Sequence, residues 1–177
     1  MANSTLLQSV RERYKYPISA KAGKYVNAFY AKSQTPTMIK AKVEGNHGEY
    51  AVSIKLKENL LTSACSCYIG KYGGCHHCEA LGIHYLQNPD SFSMKKAVKK
   101  AKVNTLETLQ SYLESVTLED LVAQLKKKGI SQKAFAKSIG MSSSHLSAVK
   151  RAENRNRYFH ELGATKLACV WVLEKMT

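Results

Sequence analysis

Apolar and polar positions alternate along the first half of the chain, as expected for strands with one buried face. Residues 39–44 alternate in this way, and so do residues 50–57. Turn-forming residues follow each run, at residues 45–48 after the first and at residues 58–59 after the second. A third strand is then expected over residues 60–67. The pattern predicts a small antiparallel sheet.

Cap and stop residues divide the second half of the chain into helices. Thr117 and Ser131 are suited to N-caps, while Gly129 and Gly140 stop the helices that precede them. The amphipathic segment at residues 6–14 predicts one further helix near the start of the chain. In the second half, these signals predict helices over residues 105–113, 118–128, 132–139, 143–151 and 164–176.

The last of these helices, residues 164–176, is apolar nearly all round. Such a helix must be buried on more than one side, so we expect it to close a helical bundle and to form part of a dimer seam. Cys169 is then a small core residue. The fold class is α+β: a first domain over residues 1–88, a basic linker over 89–103 and an all-α domain over 104–177.

The charge of the chain is strongly one-sided. Lys and Arg number 27 against 13 Asp and Glu, which gives a formal net charge of +14. Such an excess predicts a polyanionic partner, most often nucleic acid. The charge is densest in the predicted linker, at Lys95, Lys96, Lys99 and Lys100. These lysines either lie along a phosphate backbone without sequence choice or form a solvated linker, and the sequence leaves both open.

Four of the five cysteines fall in one short stretch of the first half. Cys65 and Cys67 lie two apart on a predicted strand and therefore share a face. Seven residues that include turn-forming glycines follow, and Cys75 and His77 then supply a second pair. Thiolates and imidazoles at four tetrahedral corners are the ligands that zinc prefers. In a reducing cytoplasm this spacing indicates a zinc site rather than disulfides.

The spacing Cys-x-Cys-x7-Cys-x-His resembles the SWIM-type zinc finger, in which a short helix and a small antiparallel sheet precede the ligands and the last ligand opens a helix. The resemblance implies a helix over residues 21–32, His77 as the fourth ligand and one structural zinc ion. Cys78 lies three residues after Cys75 and is the alternative ligand. Four ligands leave no open coordination position. The finger is then a platform for DNA or for a protein partner.

The segment LVAQLKKKGISQKAFAKSIGMSSSHLSAVKR carries two helices joined by a short turn that contains a glycine. It resembles the lambda-repressor-like, or Xre-type, helix-turn-helix domain. The sequence Ser131-Gln132 opens a helix as Ser/Thr-Gln does in that family, and Phe135-Ala136 stands for the usual Leu-Ala. Lys150 and Ala152 depart from the family, which often has Glu and a later Gly there.

The resemblance implies that the recognition helix enters the major groove of duplex DNA. The residues implied to face the bases are Ser142, Ser143, Ser144, His145 and Ser147. Gln132 is implied to brace the DNA backbone or to reach an adjacent base. The implied phosphate contacts are basic: Lys133, Lys137, Lys150, Arg151, Arg155 and Arg157. A homodimer on two half-sites is implied as well.

The sequence carries no paired-carboxylate motif, no phosphate-cradling glycine loop and no spare metal ligand beside a base, so we expect no enzyme activity. The first hypothesis is a zinc-containing, sequence-specific DNA-binding protein that regulates transcription. The second is an interaction module tethered to nucleic acid that recruits a partner in recombination, defence or mobile-element biology, and the third is an RNA-binding factor. Without a signal peptide or a long apolar run, we expect a cytoplasmic protein with no membrane contact, nucleoid-associated if bacterial.

Overall fold

A computed structural model describes residues 5–72, 74–95, 103–157 and 159–176. Within those ranges the chain forms eight α-helices and one five-stranded sheet, which confirms the α+β class. The chain divides into two compact units. The first takes in residues 1–96 and 155–157, and the second takes in residues 97–154 and 158–177. No helix in the described part is long and apolar enough to cross a membrane.

The first unit is built on a mixed sheet of strand order β4-β3-β2-β1-β5. The strands are β1 (Tyr30–Thr35), β2 (Met38–Gly45), β3 (Gly48–Lys57), β4 (Leu60–Cys65) and β5 (Ser93–Met94). Strands β1 to β4 are antiparallel neighbours, and β5 runs parallel to β1. The alternation in the sequence predicts β2 and β3 correctly, because each has one face in the core. The third strand, expected over residues 60–67, is β4, which ends at Cys65.

The tight turns of the sheet contain residues whose backbone is left-handed. Between β3 and β4, Glu58 and Asn59 both have positive φ, at 49° and 66°. Two consecutive residues in this region form the turn whose twist matches that of paired strands. Between β2 and β3, Gly45 pairs with Gly48, so the loop has two residues. These turns fix the register that places the apolar residues of both strands on one face.

The helix expected over residues 21–32 is wrong. The structure has a short helix α2 (Ala20–Gly23), then turns, and strand β1 from Tyr30. Ala31 has a φ of +47°, and the β1–β2 register shifts between Tyr30 and Ser33, as at a β-bulge. A bulged strand without a fully buried side chain has no period-two pattern, so the alternation that revealed the other strands is missing here.

Two longer helices pack against strands β3 and β4 of the sheet. They are α1 (Leu6–Arg13), which Thr5 caps, and α3 (His76–Gln87). Residues of α3 such as Leu81 and Ile83 are almost fully buried, as are Ile39 and Ile54 of the sheet. The core of the first unit therefore lies between α3 and the sheet.

The first unit continues beyond residue 88. A 3-10 turn at Pro89–Ser91 leads to β5, whose Ser93 and Met94 pair with Ser33 and Gln34 of β1. Residues 89–94 lie in the segment expected as the linker, and the last two of them pair with the sheet. The pairing is only two residues long, and both side chains of β5 are exposed. A strand this short and exposed leaves no hydrophobic pattern to recognise.

The second unit contains five helices in its described part. They are α4 (Leu106–Ser115), α5 (Leu118–Lys127), α6 (Gln132–Ser138), α7 (Ser143–Asn154) and α8 (Leu162–Lys175). Thr117 and Ser131 accept hydrogen bonds from the third residue of α5 and α6, as predicted. Gly129 and Gly140 adopt positive φ where these two helices end.

The interior of the second unit is mostly apolar in the part that the structure describes, and one lysine is buried there. Leu118, Phe135, Leu146 and Cys169 are fully or almost fully buried. Helix α8 is buried at Cys169, Val170 and Val172, whereas Leu167 and Trp171 are about half exposed. The buried positions of α8 include the lysine at 166, which is only 6% exposed.

Lys166 lies inside the second unit because its ammonium has specific partners. Its Nζ is 2.6 Å from Glu153 Oε1 on α7 and donates to the Leu113 carbonyl of α4 at 2.7 Å. The other carboxylate oxygen of Glu153 accepts from the Leu118 N–H at the start of α5, at 2.7 Å. One ion pair therefore links the ends of α4 and α5 to α7 and α8.

Lys166→Met tests the weight of this ion pair. The substitution leaves a buried carboxylate and a buried carbonyl without their shared donor, so we expect the free energy of unfolding to fall by about 3–5 kcal/mol. Urea denaturation followed by fluorescence measures it, because Trp171 of α8 is the single tryptophan of the chain. Lys126→Met, at an exposed position of α5, is the matched control, with a change within about 0.5 kcal/mol. Equal losses in the two variants would contradict the ion pair's role.

Candidate metal centre and candidate nucleic-acid interface

The sheet and helix α3 bring four metal-ligating side chains together. Cys65 is the last residue of β4, and Cys67 follows two residues later. Cys75 is the N-cap residue of α3, and His77 lies in its first turn. Between the two pairs the chain reverses through the 3-10 turn Ile69–Tyr72. The predicted strand, reversal and helix start are therefore the elements that position the site.

The four donor atoms have the spacing of a tetrahedral site. All lie within 4.8 Å of one another. Cys67 Sγ and Cys75 Sγ are 3.7 Å apart, and His77 Nδ1 lies 3.7 Å from Cys65 Sγ and 3.8 Å from Cys75 Sγ. With zinc–sulfur bonds of about 2.3 Å, a tetrahedron has edges of about 3.8 Å between sulfurs. The donors could therefore hold one metal ion with little rearrangement.

The thiols of the cluster share their protons unequally. Hydrogen bonding from Cys65, with further bonding from Cys78, lowers the pKa of Cys75 far below its usual range. The hydrogen bond to Cys75 and burial raise the pKa of Cys65, and burial raises that of Cys67. The cluster therefore already stabilises one thiolate, and a bound dication would stabilise the others, since a coordinating thiol is deprotonated.

A backbone amide supports the sulfurs from the reversal. The N–H of Gly70 donates to Cys67 Sγ at 3.2 Å. A Cβ on Gly70 would collide with the backbone of Cys65, so this approach requires glycine. Amide donors to coordinating sulfurs orient them and balance their charge. The sequence shows Gly70 only as a turn former, and its contact with the cluster depends on the folded loop.

His77 is held by aromatic rings. Its ring centroid lies 4.6 Å from that of Tyr25 in an edge-on arrangement and 5.1 Å from that of Tyr50. The side chain is buried, and its Nε2 has no hydrogen-bond partner among the described residues. Nδ1 is therefore the nitrogen directed at the sulfurs. This packing fixes the ring for coordination through one nitrogen.

Cys78 and His84, the other cysteine and a further histidine of α3, lie outside the group of four. Cys78 is buried, and its Sγ lies 3.8 Å from Cys75 Sγ. The four donor atoms that all lie within 4.8 Å of one another nevertheless include His77 and not Cys78. The ring of His84 packs between Phe29 and Phe92, with centroids 5.8 Å from each. The geometry therefore favours His77 over Cys78 as the fourth donor.

In the second unit, α6 and α7 are joined by a short turn at residues 139–142, and a glutamine ties the two helices together. Gln132 Nε2 donates to Ser147 Oγ at 2.9 Å and lies 3.4 Å from the carbonyl and hydroxyl oxygens of Ser143. Its Oε1 accepts from Lys150 Nζ at 3.1 Å. Gln132 is thus a brace between α6 and α7 that also holds Lys150 in place.

The serines and the histidine expected to face bases do not share one side of α7. Ser142 and Ser144 are exposed, and their hydroxyls are 3.0 Å apart, whereas Ser143 and Ser147 are half-buried against Gln132. His145 packs edge-on against Phe159, and its Nε2 lies 3.7 Å from Glu161. The His145 ring therefore makes its contacts within the second unit, with Phe159 and Glu161, and not on the side of α7 that carries Ser144.

The basic residues expected at phosphates also fall in different places. Lys133 and Lys137 of α6 and Arg151 of α7 are exposed. Arg155 and Arg157 lie in the segment that groups with the first unit, and Arg157 Nε is buried without a partner among the described residues. Of the linker lysines, Lys95 is exposed, whereas the other three lie outside the described residues: Lys96, Lys99 and Lys100.

Single serine substitutions test the metal centre. We expect Cys65→Ser and Cys67→Ser to retain far less than one zinc ion per chain, because each removes a donor, and Cys78→Ser to retain one. Elemental analysis of the purified variants measures the zinc content.

Structural zinc contributes roughly 10–16 kcal/mol in finger peptides, so chelation is expected to unfold the first unit. The fluorescence of Trp171 is expected to stay unchanged, and its loss on chelation would contradict two independent units.

The comparisons with known proteins assign this chain to no family. No family model, no curated protein and no solved structure matches it. The resemblances to the SWIM-type finger and to the lambda-repressor-like domain therefore stay predictions, carried by the motifs in the sequence. What the chain itself offers is a group of three thiols and one imidazole whose donor atoms lie within 4.8 Å of one another, and a pair of helices, α6 and α7, with exposed basic residues.

Proposed function

We propose that this chain is a zinc-containing, sequence-specific DNA-binding protein that regulates transcription and contacts duplex DNA through α6 and α7. One observation carries the proposal. The outward side of α7 presents Ser144 and Arg151, and Lys133 and Lys137 of the preceding helix α6 are exposed as well. In the part of α7 that the structure describes, the acidic side chain Glu153 is turned inward to Lys166.

The helix pair has dimensions that suit the major groove. An α-helix fits into that groove, and a helix-turn-helix inserts its second helix with the first lying across the backbone. Leu146 and Val149 of α7 are completely buried, so the helix is anchored by one side only. Its opposite side carries the exposed residues Ser144 and Arg151.

The hydrogen bonds around Gln132 support this proposal because they set the orientation of the helix before binding. Three polar groups of α7 are fixed through one glutamine side chain of α6. A surface that is already in its bound conformation avoids the entropy cost of ordering side chains on association. The role expected for Gln132 at the DNA backbone thus becomes, in this proposal, a role in orienting α7.

The zinc ion in this proposal is structural. Cys65, Cys67, Cys75 and His77 supply four donors, and four-coordinate sites of this kind stabilise a fold rather than activate water. The ion would tie the end of β4 to the start of α3. It would thereby keep the first unit folded as a platform for contact with DNA or with a protein partner.

A homodimer is part of the proposal. Leu167 and Trp171 lie four residues apart on α8, on the same side of the helix, and are 46% and 56% exposed. Two large apolar side chains in this arrangement form a seam suited to a second copy of the chain. Two copies would double the DNA contacts on a site with two half-sites.

A second function has its own support in the first unit. Tyr68 and Ile69 are 74% and 53% exposed, and they lie in the loop between the two pairs of metal-ligating residues. An aromatic and an aliphatic side chain on a loop fixed by a metal ion suit a protein partner. In this alternative the finger recruits the partner, and the helix pair tethers the complex to nucleic acid.

Ser144→Gln tests sequence recognition through α7. A longer side chain at this exposed position would displace the helix from the bases, so we expect the preference for a selected duplex over random duplex to fall by roughly 10-fold or more. Competition binding of the zinc-loaded chain at fixed salt measures the preference. Ser111→Gln, on the exposed side of α4, is the control and should leave it unchanged. An unaltered preference in Ser144→Gln would refute the assignment.

A further inference from the structure

We propose that Arg151 reads a guanine in the major groove and does not serve as a phosphate contact. The inference rests on the proposed function and names the residue that gives it base preference. It is drawn from three features of α7 in the folded unit: the direction of the Arg151 side chain, its lack of internal partners, and the charge of the surface beside it.

The direction of Arg151 follows from its place on the helix. It lies seven residues after Ser144 and four after Ser147, so the three residues share one side of α7. Leu146 and Val149, which anchor the helix, are on the opposite side and have no exposed surface. Arg151 therefore extends from the outward side of the helix, in its last turn.

The other cationic and titratable side chains of α7 are already engaged. Lys150 donates to Gln132, and His145 contacts Phe159 and Glu161. The Arg151 side chain is exposed and has no hydrogen bond or ion pair with any residue in the described ranges. Its five N–H donors are thus available to a ligand.

The surface beside Arg151 carries a carboxylate as well as a second cation. A shallow depression is lined by Arg151 together with Glu119, Ser144, Ser147, Lys150 and Asn154. Asn154 Nδ2 donates to Glu119 Oε2 at 3.1 Å, which holds the carboxylate beside this depression. A phosphate bound here would be repelled by that carboxylate and attracted by the Lys150 ammonium, which Gln132 Oε1 already holds. A guanine edge is uncharged, and its two acceptors would meet the guanidinium without this repulsion.

The chemistry of the guanidinium determines which base it prefers. Its planar fork donates two parallel hydrogen bonds to O6 and N7 of guanine, whereas lysine offers a single point of charge. Serine hydroxyls, such as that of Ser144, donate or accept and therefore discriminate weakly between bases. The strongest preference in the bound sequence is thus expected at one guanine.

The experiment starts with selection of binding sites by the full, zinc-loaded chain from duplexes with a randomised centre. Affinities of the wild type, Arg151→Gln and Arg151→Lys are then measured for the best duplex and for duplexes with each guanine replaced. For the wild type, we expect replacement of one guanine to weaken binding roughly 5- to 150-fold. Arg151→Gln should lose the preference for guanine, because its amide pairs with the adenine edge, and Arg151→Lys should keep only part of it, because an ammonium lacks the planar fork.

Salt dependence separates base reading from phosphate contact. Lys133→Gln and Lys137→Gln are the matched controls, expected to weaken all duplexes alike and to reduce the slope of log affinity against log salt by about 0.9 each. If Arg151→Gln behaves like these controls and the guanine preference persists, the inference is overturned while the proposed function stands. If the wild type selects no sequence or binds no duplex, the proposed function itself fails. Unchanged circular dichroism verifies that each variant is folded.

Discussion

A charged ammonium group inside the second unit determines how its helices are arranged. Lys166 can remain buried only while the carboxylate of Glu153 and the carbonyl of Leu113 are in reach, since an unpaired charge in an apolar interior is costly. This requirement fixes the end of α7 against α8, α5 and α4. Because α7 is held at that end and by its buried leucine and valine, the side that carries Arg151 is the side left facing out. The candidate interface is thus a consequence of interior pairing.

The first unit reaches its arrangement by a comparable route, with sulfur and nitrogen donors in place of an ion pair. The Sγ atoms of Cys67 and Cys75 approach to 3.7 Å, and His77 directs Nδ1 into the same space. Apolar packing alone gives no reason for these polar atoms to converge, and a shared cation does. In both units a few polar contacts specify the geometry, while leucine, isoleucine and valine side chains supply the burial that makes each unit compact.

Much of the local structure could be predicted from the sequence because its causes are local. Alternation revealed strands β2 and β3, the turn after β3 indicated β4, hydroxyl caps marked the starts of α5 and α6, and ligand spacing placed the four donors together. The rest depends on contacts between distant residues. Strand β1 was missed because a bulged strand has no alternation, and the buried Lys166 was missed because its partner Glu153 lies on another helix. For the same reason, the contacts that turn His145 away from the outward side of α7 could not be seen in advance.

The hydrogen bond from the Leu118 amide to Glu153 has a use in spectroscopy. Leu118 is the first residue of α5, where a backbone N–H has no partner within its own helix. Its proton is covered instead by the carboxylate of α7, at 2.7 Å. The exchange rate of this one amide with solvent therefore reports how often α7 separates from α5. A nuclear magnetic resonance signal from a residue far from any nucleic acid would thus follow the motion of the helix proposed to bind it.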